Sequence, residues 1–239
     1  MKRIRIIITA VLFIVFYSHT ALFAQSEKAW NTIFDGKTFN GWTIVDSPAN
    51  VVIKDSAFLI HMTKNTSRHV FIRTNKKYKD FILELDCKRD TSFDSGILFR
   101  SIKSPDTSAV SLYGYTVKID PSLTRRWTGG IFIDFGSYNT WLHPLAGDMR
   151  AQQAERVGQW NRFRIEAIGD HIKVWVNGIP VTNMINSRYE DGYIALKIHY
   201  LKNTAWNDQM QAMFKNIRII SKNASKYALP MDIPVKETD

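Results

Sequence analysis

The fold class of this chain follows from residues 158–178, which read GQWNRFRIEAIGDHIKVWVNG. Within this stretch, Arg162–Ile168 and Ile172–Val176 alternate between inward and outward positions of a strand. A period of two is typical of β-strands that bury one face, because successive side chains point to opposite faces of a sheet. Asn177-Gly178 comes next, and it is the strongest short signal for a hairpin turn, since both positions need positive φ. The stretch therefore predicts antiparallel β-structure.

Segments with the same period recur along the chain, and no convincing helical pattern lies beyond residue 24. Turn dipeptides such as Asp35-Gly36 and Asp191-Gly192 separate them. The pattern predicts an all-β fold, an antiparallel two-sheet sandwich of the jelly-roll kind. The strand candidates are Val51–Ile53, Ala57–Met62, Val70–Thr74, Phe81–Lys88, Gly96–Ser101, Tyr113–Ile119, Gly130–Phe135, Arg162–Ile168, Ile172–Val176, Tyr193–His199 and Met213–Ile220.

The first 24 residues have the layout of a cleaved secretory signal peptide. Lys2, Arg3 and Arg5 form a basic start, Ile6–Tyr17 is almost wholly apolar, and Ala24 is a small residue before the expected cleavage point. The apolar run is short for a membrane span, so we expect none after cleavage.

The rest of the chain is predicted to be one domain with a short tail. Residues 25–221 suit a single jelly-roll domain, because sandwiches of this length are commonly one domain. Residues 222–239 contain Pro230 and Pro234, and we expect a loosely ordered C-terminal tail there. Cys87 is the only cysteine and allows no intramolecular disulfide. A secreted chain without disulfides fits a bacterial periplasm or exterior.

The charge of the chain does not indicate a nucleic-acid partner. The formal net charge is +10, and it falls to +7 without the first 24 residues. Lysines and arginines are scattered singly along the predicted strands, without a basic run or a basic helix. We therefore exclude nucleic-acid binding from the expected functions.

Several kinds of chemistry lack a convincing pattern. Glu84 and Asp86 alternate on one strand as in some glucanases, but Lys88 breaks the series, so we interpret them as surface charges. The histidines show no metal-ligand spacing, and no serine-nucleophile motif is present. Oxygen ligands for Ca²⁺ leave little trace in a sequence. No cofactor is predicted with certainty, and a divalent cation such as Ca²⁺ is left open.

Aromatic residues near the middle of the chain indicate sugar binding. Trp127, Trp141 and His143 are expected in or beside the loops that flank Gly130–Phe135. Tryptophan rings stack on the apolar faces of sugars and need little ordering to do so. These three residues are therefore candidate substrate-binding residues.

Polar residues on neighbouring strands extend this candidate site. Lys197 and His199 share the polar face of Tyr193–His199, and Lys118 lies on the corresponding face of its own strand. Arg100 ends the strand that begins at Gly96. We predict that Arg100, Lys118, Lys197 and His199 line one concave surface.

A series of motifs in this chain resembles the 3-keto-disaccharide hydrolase domain family. The similarity covers nearly the whole of residues 25–221, and it depends on the order and spacing of motifs that are weak singly. The motifs are Phe34-Asp35-Gly36-Lys37, Gly41-Trp42, Asp94-Ser95-Gly96-Ile97-Leu98-Phe99-Arg100, Gly114-Tyr115-Thr116-Val117-Lys118-Ile119-Asp120, Trp127-Thr128-Gly129-Gly130-Ile131, Gly158-Gln159-Trp160-Asn161, Trp175-Val176-Asn177-Gly178, Gly192-Tyr193-Ile194-Ala195-Leu196-Lys197-Ile198-His199 and Phe214-Lys215-Asn216-Ile217-Arg218-Ile219.

The resemblance implies a concanavalin-like lectin/glucanase jelly roll and cleavage of glycosides that are already oxidised to a ketone at C3. A C3 carbonyl acidifies the C2 proton, and His199 would be the base that removes it. Arg100, Lys118 or a bound cation would stabilise the enolate oxygen. Asp134 roughly matches an acidic position of relatives and would orient the base or assist the leaving oxygen.

The chain departs from its relatives beside the candidate base. Relatives usually carry a glutamate where this chain has Thr116 and Lys118, and a glutamine where it has Lys197. This difference favours a second hypothesis, a non-catalytic carbohydrate-binding module with Trp127 and Trp141 as stacking platforms. In both hypotheses the partner is an oligosaccharide or glycoside. A structural surface protein of the periplasm is the third.

Overall fold

The computed structural model describes residues 27–45, 50–62, 66–90, 93–104, 112–135, 138–200 and 211–238. The predicted signal peptide lies outside these ranges. The chain divides into two units, residues 1–31 and residues 32–239, and the description below concerns the second. Within the described ranges, no helix is both long and apolar enough to cross a membrane.

The described residues form two β-sheets, which we call sheet A and sheet B. Sheet A has the order β16-β13-β12-β11-β6-β15-β4-β3, and sheet B has the order β10-β9-β8-β7-β14-β5-β2. The strand pairs of these two sheets are antiparallel, apart from the parallel pair of β13 with β16. The strands are β1 Asn31–Thr32, β2 Trp42–Val45, β3 Val51–Lys54, β4 Ala57–His61, β5 Val70–Tyr78, β6 Phe81–Arg89, β7 Ser95–Lys103, β8 Leu112–Ile119, β9 Ile131–Phe135, β10 Tyr138–His143, β11 Asn161–Ile168, β12 His171–Val176, β13 Ile179–Ile185, β14 Gly192–Ile198, β15 Gln211–Ile220 and β16 Lys236–Glu237.

The alternating residues of the strands build the core between the sheets. In β11, Phe163 and Ile165 are buried in this core, and Phe163 pairs with Val176 across the hairpin. Phe81 of sheet A and Phe99 of sheet B meet in the core with ring centroids 6.0 Å apart. The predicted two-sheet antiparallel sandwich is confirmed.

The hairpin signal is also confirmed. Asn177 and Gly178 have φ of 52° and 78°, and they connect β12 to β13. Helical structure is short in the described residues: a four-residue helix, α1, spans Met149–Gln152, and a 3-10 helix spans Ala224–Tyr227.

Five of the described strands were not predicted, namely β1, β2, β10, β13 and β16, and β10 carries candidate site residues. β2, β10 and β13 lack a clean apolar period, and β13 contains Pro180 beside an irregularity in its pairing with β12. Trp141 and His143 were expected in or beside loops, but they lie on β10, which pairs with β9. β10 lies at the edge of sheet B, and an edge strand accepts polar residues because it has a neighbouring strand on one side only.

Part of the predicted tail, residues 222–239, is held against β13. The Asn183 side chain donates to the carbonyl of Ile233 at 2.6 Å, and the Asn186 side chain donates to that of Thr238 at 2.7 Å. β16 then pairs with β13. Polar side chains of β13 therefore anchor the C-terminal segment through its backbone.

Candidate functional site

Two lysines of the candidate site lie in one row across sheet B. Lys118 of β8 and Lys197 of β14 are both direct cross-strand partners of Gly96 in β7. Residues directly opposite each other in a sheet point to the same face. Val117 and Ile119 point into the core, so the lysines lie on the other face, which we call the outer face of sheet B. The structure thus brings Lys118 and Lys197 together.

Gly96 leaves room for the side chain of Thr116, which lies on the same face as this row. A Cβ atom at Gly96 would lie 2.6 Å from Cγ2 of Thr116, which is closer than real Cβ contacts. Lys118 and Lys197 are both buried, with 7% and 3% of their surface exposed. Buried ammonium groups need partners, because burial without one is costly.

Asp94 joins Lys118 to His199, and sequence reasoning missed it. One carboxylate oxygen of Asp94 lies 2.7 Å from the Lys118 ammonium, and the other accepts a hydrogen bond from it at 3.0 Å. The backbone carbonyl of Asp94 accepts the N–H of His199 at 3.0 Å. In the sequence, Asp94 belongs to one of the motifs of the family resemblance and stands directly before β7, but its carboxylate has no predicted role. This contact places the backbone of His199 beside Asp94, the partner of Lys118.

An aromatic chain extends from Lys118 along the outer face. The ammonium of Lys118 lies 4.9 Å from the ring centroid of Phe132. The rings of Phe132 and Trp141 meet edge to face at 5.2 Å, and those of Trp141 and Trp127 at 5.0 Å. Edge-to-face contact is a favourable arrangement of aromatic pairs. The two predicted tryptophans are therefore adjacent and connected to the lysine row.

Arg125 covers this aromatic pair, and its position is held by Asp120. The guanidinium lies 5.2 Å from the ring of Trp127 and 5.4 Å from that of Trp141, which are cation–π distances. Two of its N–H groups donate to the Asp120 carboxylate at 2.9 and 2.7 Å. Burial alone would raise the pKa of Asp120, but hydrogen bonds from Arg125 and from the Trp127 backbone outweigh it and hold that pKa below its usual value.

A buried ion pair supports the loop that carries Trp127. The guanidinium of Arg89 donates to both carboxylate oxygens of Glu155, at 2.8 and 3.1 Å. The hydroxyl of Thr128 donates to the same carboxylate at 2.6 Å, and Arg89 also reaches the backbone carbonyl of Asp120 at 2.8 Å. Asp120 and Thr128, at the two ends of this loop, are thus held by the buried Arg89–Glu155 pair.

Arg100 does not lie with the lysine row, which corrects the predicted surface. Its φ is 48°, and the pairing of β7 with both neighbouring strands shifts register around it. Such a bulge re-aims side chains. The Arg100 guanidinium donates to the carbonyls of Lys79 at 3.0 Å and Tyr189 at 3.2 Å, beside a cleft of about 360 Å³. Gly192 makes room for the bulge, since a Cβ there would lie 2.3 Å from the Arg100 carbonyl carbon.

His143 faces away from the tryptophans. Its Nδ1 lies 3.4 Å from the hydroxyl of Thr182, which belongs to sheet A. Burial, with a smaller contribution from the charge of Lys236, lowers the pKa of His143 from 6.5 to about 4. His143 is therefore neutral at pH 7 and separate from His199.

Asp134 lies on β9 opposite Asn139, but its side chain is outside the described residues, so its role stays a prediction.

A divalent cation does not suit the described side chains beside His199. The carboxylate of Asp94 is already ion-paired with Lys118, and Lys197 adds a second positive charge to the same face. Across the described residues, no group of three or more His, Cys, Asp or Glu could hold a metal ion. The sequence leaves a cation open, and no step below uses one.

Comparison with known proteins identifies the family. Residues 29–220 match the model of the 3-keto-alpha-glucoside-1,2-lyase-like domain. The chain belongs to this family. Membership of this family supports a function related to carbohydrates. Among curated proteins, none matches the chain significantly.

Solved structures share the fold at low sequence identity. A candidate glycosyl hydrolase from Parabacteroides distasonis has a TM-score of 0.61 and 16% identity over 84% of this chain and 97% of that one. The β-glucanase of Bacillus licheniformis has a TM-score of 0.53 and 11% identity over 81% and 97%. The carbohydrate-binding module CBM66 of Bacillus subtilis has a TM-score of 0.50 and 18% identity over 74% and 94%. These similarities confirm the lectin/glucanase type of sandwich.

Proposed function

We propose that this protein is an enzyme that cleaves 3-keto-glycosides by removing the proton at C2 and releasing the glycosidic oxygen from C1. The observation that supports the proposal is that Asp94 contacts both residues: its backbone carbonyl accepts the backbone N–H of His199, and its carboxylate is paired with Lys118. Family membership supports the substrate class.

His199 acts first, as the proton acceptor. An imidazole suits this role because it changes charge near neutral pH. As His199 takes the C2 proton, the electron pair of the C2–H bond moves toward the C3 carbonyl and forms an enolate. The C3 carbonyl is what makes this proton acidic enough, so an unoxidised glycoside is not a substrate.

Lys118 stabilises the enolate oxygen. An ammonium group has three N–H donors, and the contacts with Asp94 use at most two of them. The remaining donor would bind the oxygen where negative charge develops. The ion pair with Asp94 holds the ammonium in place before the reaction, and such preorganised electrostatic stabilisation is usually a large part of catalysis.

The last step breaks the bond between C1 and the glycosidic oxygen. The enolate electron pair re-forms the C3 carbonyl and makes a C1–C2 double bond, and the leaving oxygen takes up a proton. The product is an unsaturated 3-keto sugar, and addition of water at C1 completes net hydrolysis. Trp141 and Trp127 would hold the sugar by stacking, next to Arg125.

The test compares 3-keto-disaccharides with the corresponding plain disaccharides. We expect release of the leaving sugar only from the 3-keto substrates, and incorporation of deuterium at C2 in D₂O. His199→Ala should lower turnover by roughly 10²–10⁴-fold, the usual contribution of a general base. His171→Ala is the matched control, because His171 lies on β12 of sheet A. Full activity of His199→Ala would refute the assignment.

Non-catalytic carbohydrate binding is the second candidate. The aromatic chain with Arg125 can hold a sugar without any base, and a lysine stands where relatives usually have an acid. Binding of both plain and 3-keto disaccharides without product release would support this candidate.

The site of action follows from the predicted signal peptide. We propose that the protein works in a bacterial periplasm or outside the cell. N-terminal sequencing of the protein from a fractionated bacterial host should show a start at Gln25 in the exported fraction. An uncleaved protein that stays in the cytoplasm would contradict this.

A further inference from the structure

A second imidazole lies against the proposed base. His69 immediately precedes β5, only 8% of its surface is exposed, and its ring centroid lies 4.2 Å from that of His199. The two ring planes are inclined by 35°. The mechanism above gives His69 no role.

The hydrogen bond that His69 accepts defines its protonation state. Its Nδ1 accepts the backbone N–H of Tyr200 at 2.8 Å. A protonated imidazole carries hydrogen on both ring nitrogens and cannot accept a hydrogen bond. Protonation of His69 would therefore break this bond and deprive a backbone N–H of its acceptor, which is costly when the group is not well solvated. The contact favours neutral His69 with its hydrogen on Nε2.

The charges around the pair act in the same direction. Two imidazolium rings at this distance would repel, so the pair resists a second proton. Lys118 and Lys197 add positive charge on the same face of sheet B, and the Asp94 carboxylate is ion-paired with Lys118. A second proton on the pair is therefore disfavoured.

We propose that His69 is a positioning residue, which stays neutral itself and leaves His199 as the single proton acceptor of the pair. By binding the N–H of Tyr200, His69 also holds the backbone directly after His199, and it packs against the imidazole ring. This inference rests on the proposed function, in which His199 is the base.

The direct test is a titration of the histidine ring nitrogens by NMR in the full chain, from about pH 5 to 9. We expect His69 to keep its hydrogen on Nε2 throughout, and His199 to take up the proton. Protonation of His69 in this range, alone or together with His199, would overturn the inference. No substrate is needed, so failure of the proposed function shows separately, as absence of turnover of 3-keto-disaccharides.

Two substitutions separate the hydrogen bond from the ring packing. His69→Asn keeps an acceptor near the position of Nδ1, whereas His69→Phe keeps a ring and loses the acceptor. We expect His69→Asn to keep kcat within about threefold, with an unchanged pH profile, and His69→Phe to lower kcat at least about tenfold with little change in KM. Both variants are first compared with the wild type by circular dichroism. Equal losses in two folded variants, or an effect on KM alone, would contradict the role.

Discussion

Gly96→Ala is a direct test of how tightly the outer face of sheet B is packed. The added Cβ would lie 2.6 Å from Cγ2 of Thr116, whereas its next contact, the carbonyl oxygen of Val117, is at an ordinary 3.4 Å. One methyl pair thus accounts for the strain. Overpacking of this kind costs about 1–3 kcal/mol in the free energy of unfolding. For a domain of this size, that corresponds to a decrease in Tm of roughly 2–12 °C.

Thr116→Ser supplies the matched control, because serine lacks Cγ2. Alone it should cost no more than about 1–1.5 kcal/mol, the usual effect of removing one buried methyl group. In the double variant the clash is absent, so Gly96→Ala with Thr116→Ser should be more stable than the sum of the two single changes by about 1–3 kcal/mol. The assay is urea unfolding and thermal melting of all four proteins. Simple additivity, or wild-type stability of Gly96→Ala, would refute the proposed contact.

Three further predictions concern charges. Glu155→Gln should lower the free energy of unfolding by about 3–5 kcal/mol, because it leaves buried Arg89 without its anion. The double variant Arg89→Met with Glu155→Leu removes both charges and should lose much less stability. Chemical unfolding measures both effects. Lys118→Met should lower kcat on 3-keto-disaccharides by roughly 10²–10³-fold. The control variant Lys215→Met, on sheet A, should leave kcat unchanged. Equal activity of the two variants would show that Lys118 has no part in the mechanism. His143 binds its proton less well in the folded state, with a pKa lowered to about 4, so stability should fall as pH drops from about 6.5 to about 4, by up to about 3 kcal/mol. His143→Asn should flatten that part of the stability curve, and an unchanged curve would show that His143 is not its cause.

The sequence predicted most of the sandwich but only part of the site. The strands with a clean period of two were found, including β14, which ends just before His199. Lys118 and Lys197 were placed on one face by the same alternation, since an uninterrupted strand preserves it. Arg100 was misplaced because a bulge interrupts β7 at this residue, and a bulge leaves little trace in a pattern of apolar residues.

Asp94 and His69 show the other limit of sequence reasoning. Asp94 stands at the start of β7 and His69 at the start of β5, and neither is near His199 in the chain. Their contacts with His199 depend on the order of strands in sheet B, where β14 lies between β7 and β5. Local propensity and spacing contain no information on that order.

The sequence by itself determined the all-β class, the antiparallel hairpins and the faces of the regular strands, because side chains alternate in any strand and turn residues restrict φ locally. Only the tertiary structure decided which polar residues meet. Strand order brought Asp94 and His69 to His199, and the bulge at Arg100 turned that residue away from the lysine row. The physical reason is that contacts between distant segments come from packing of whole sheets, to which each residue contributes only a small part.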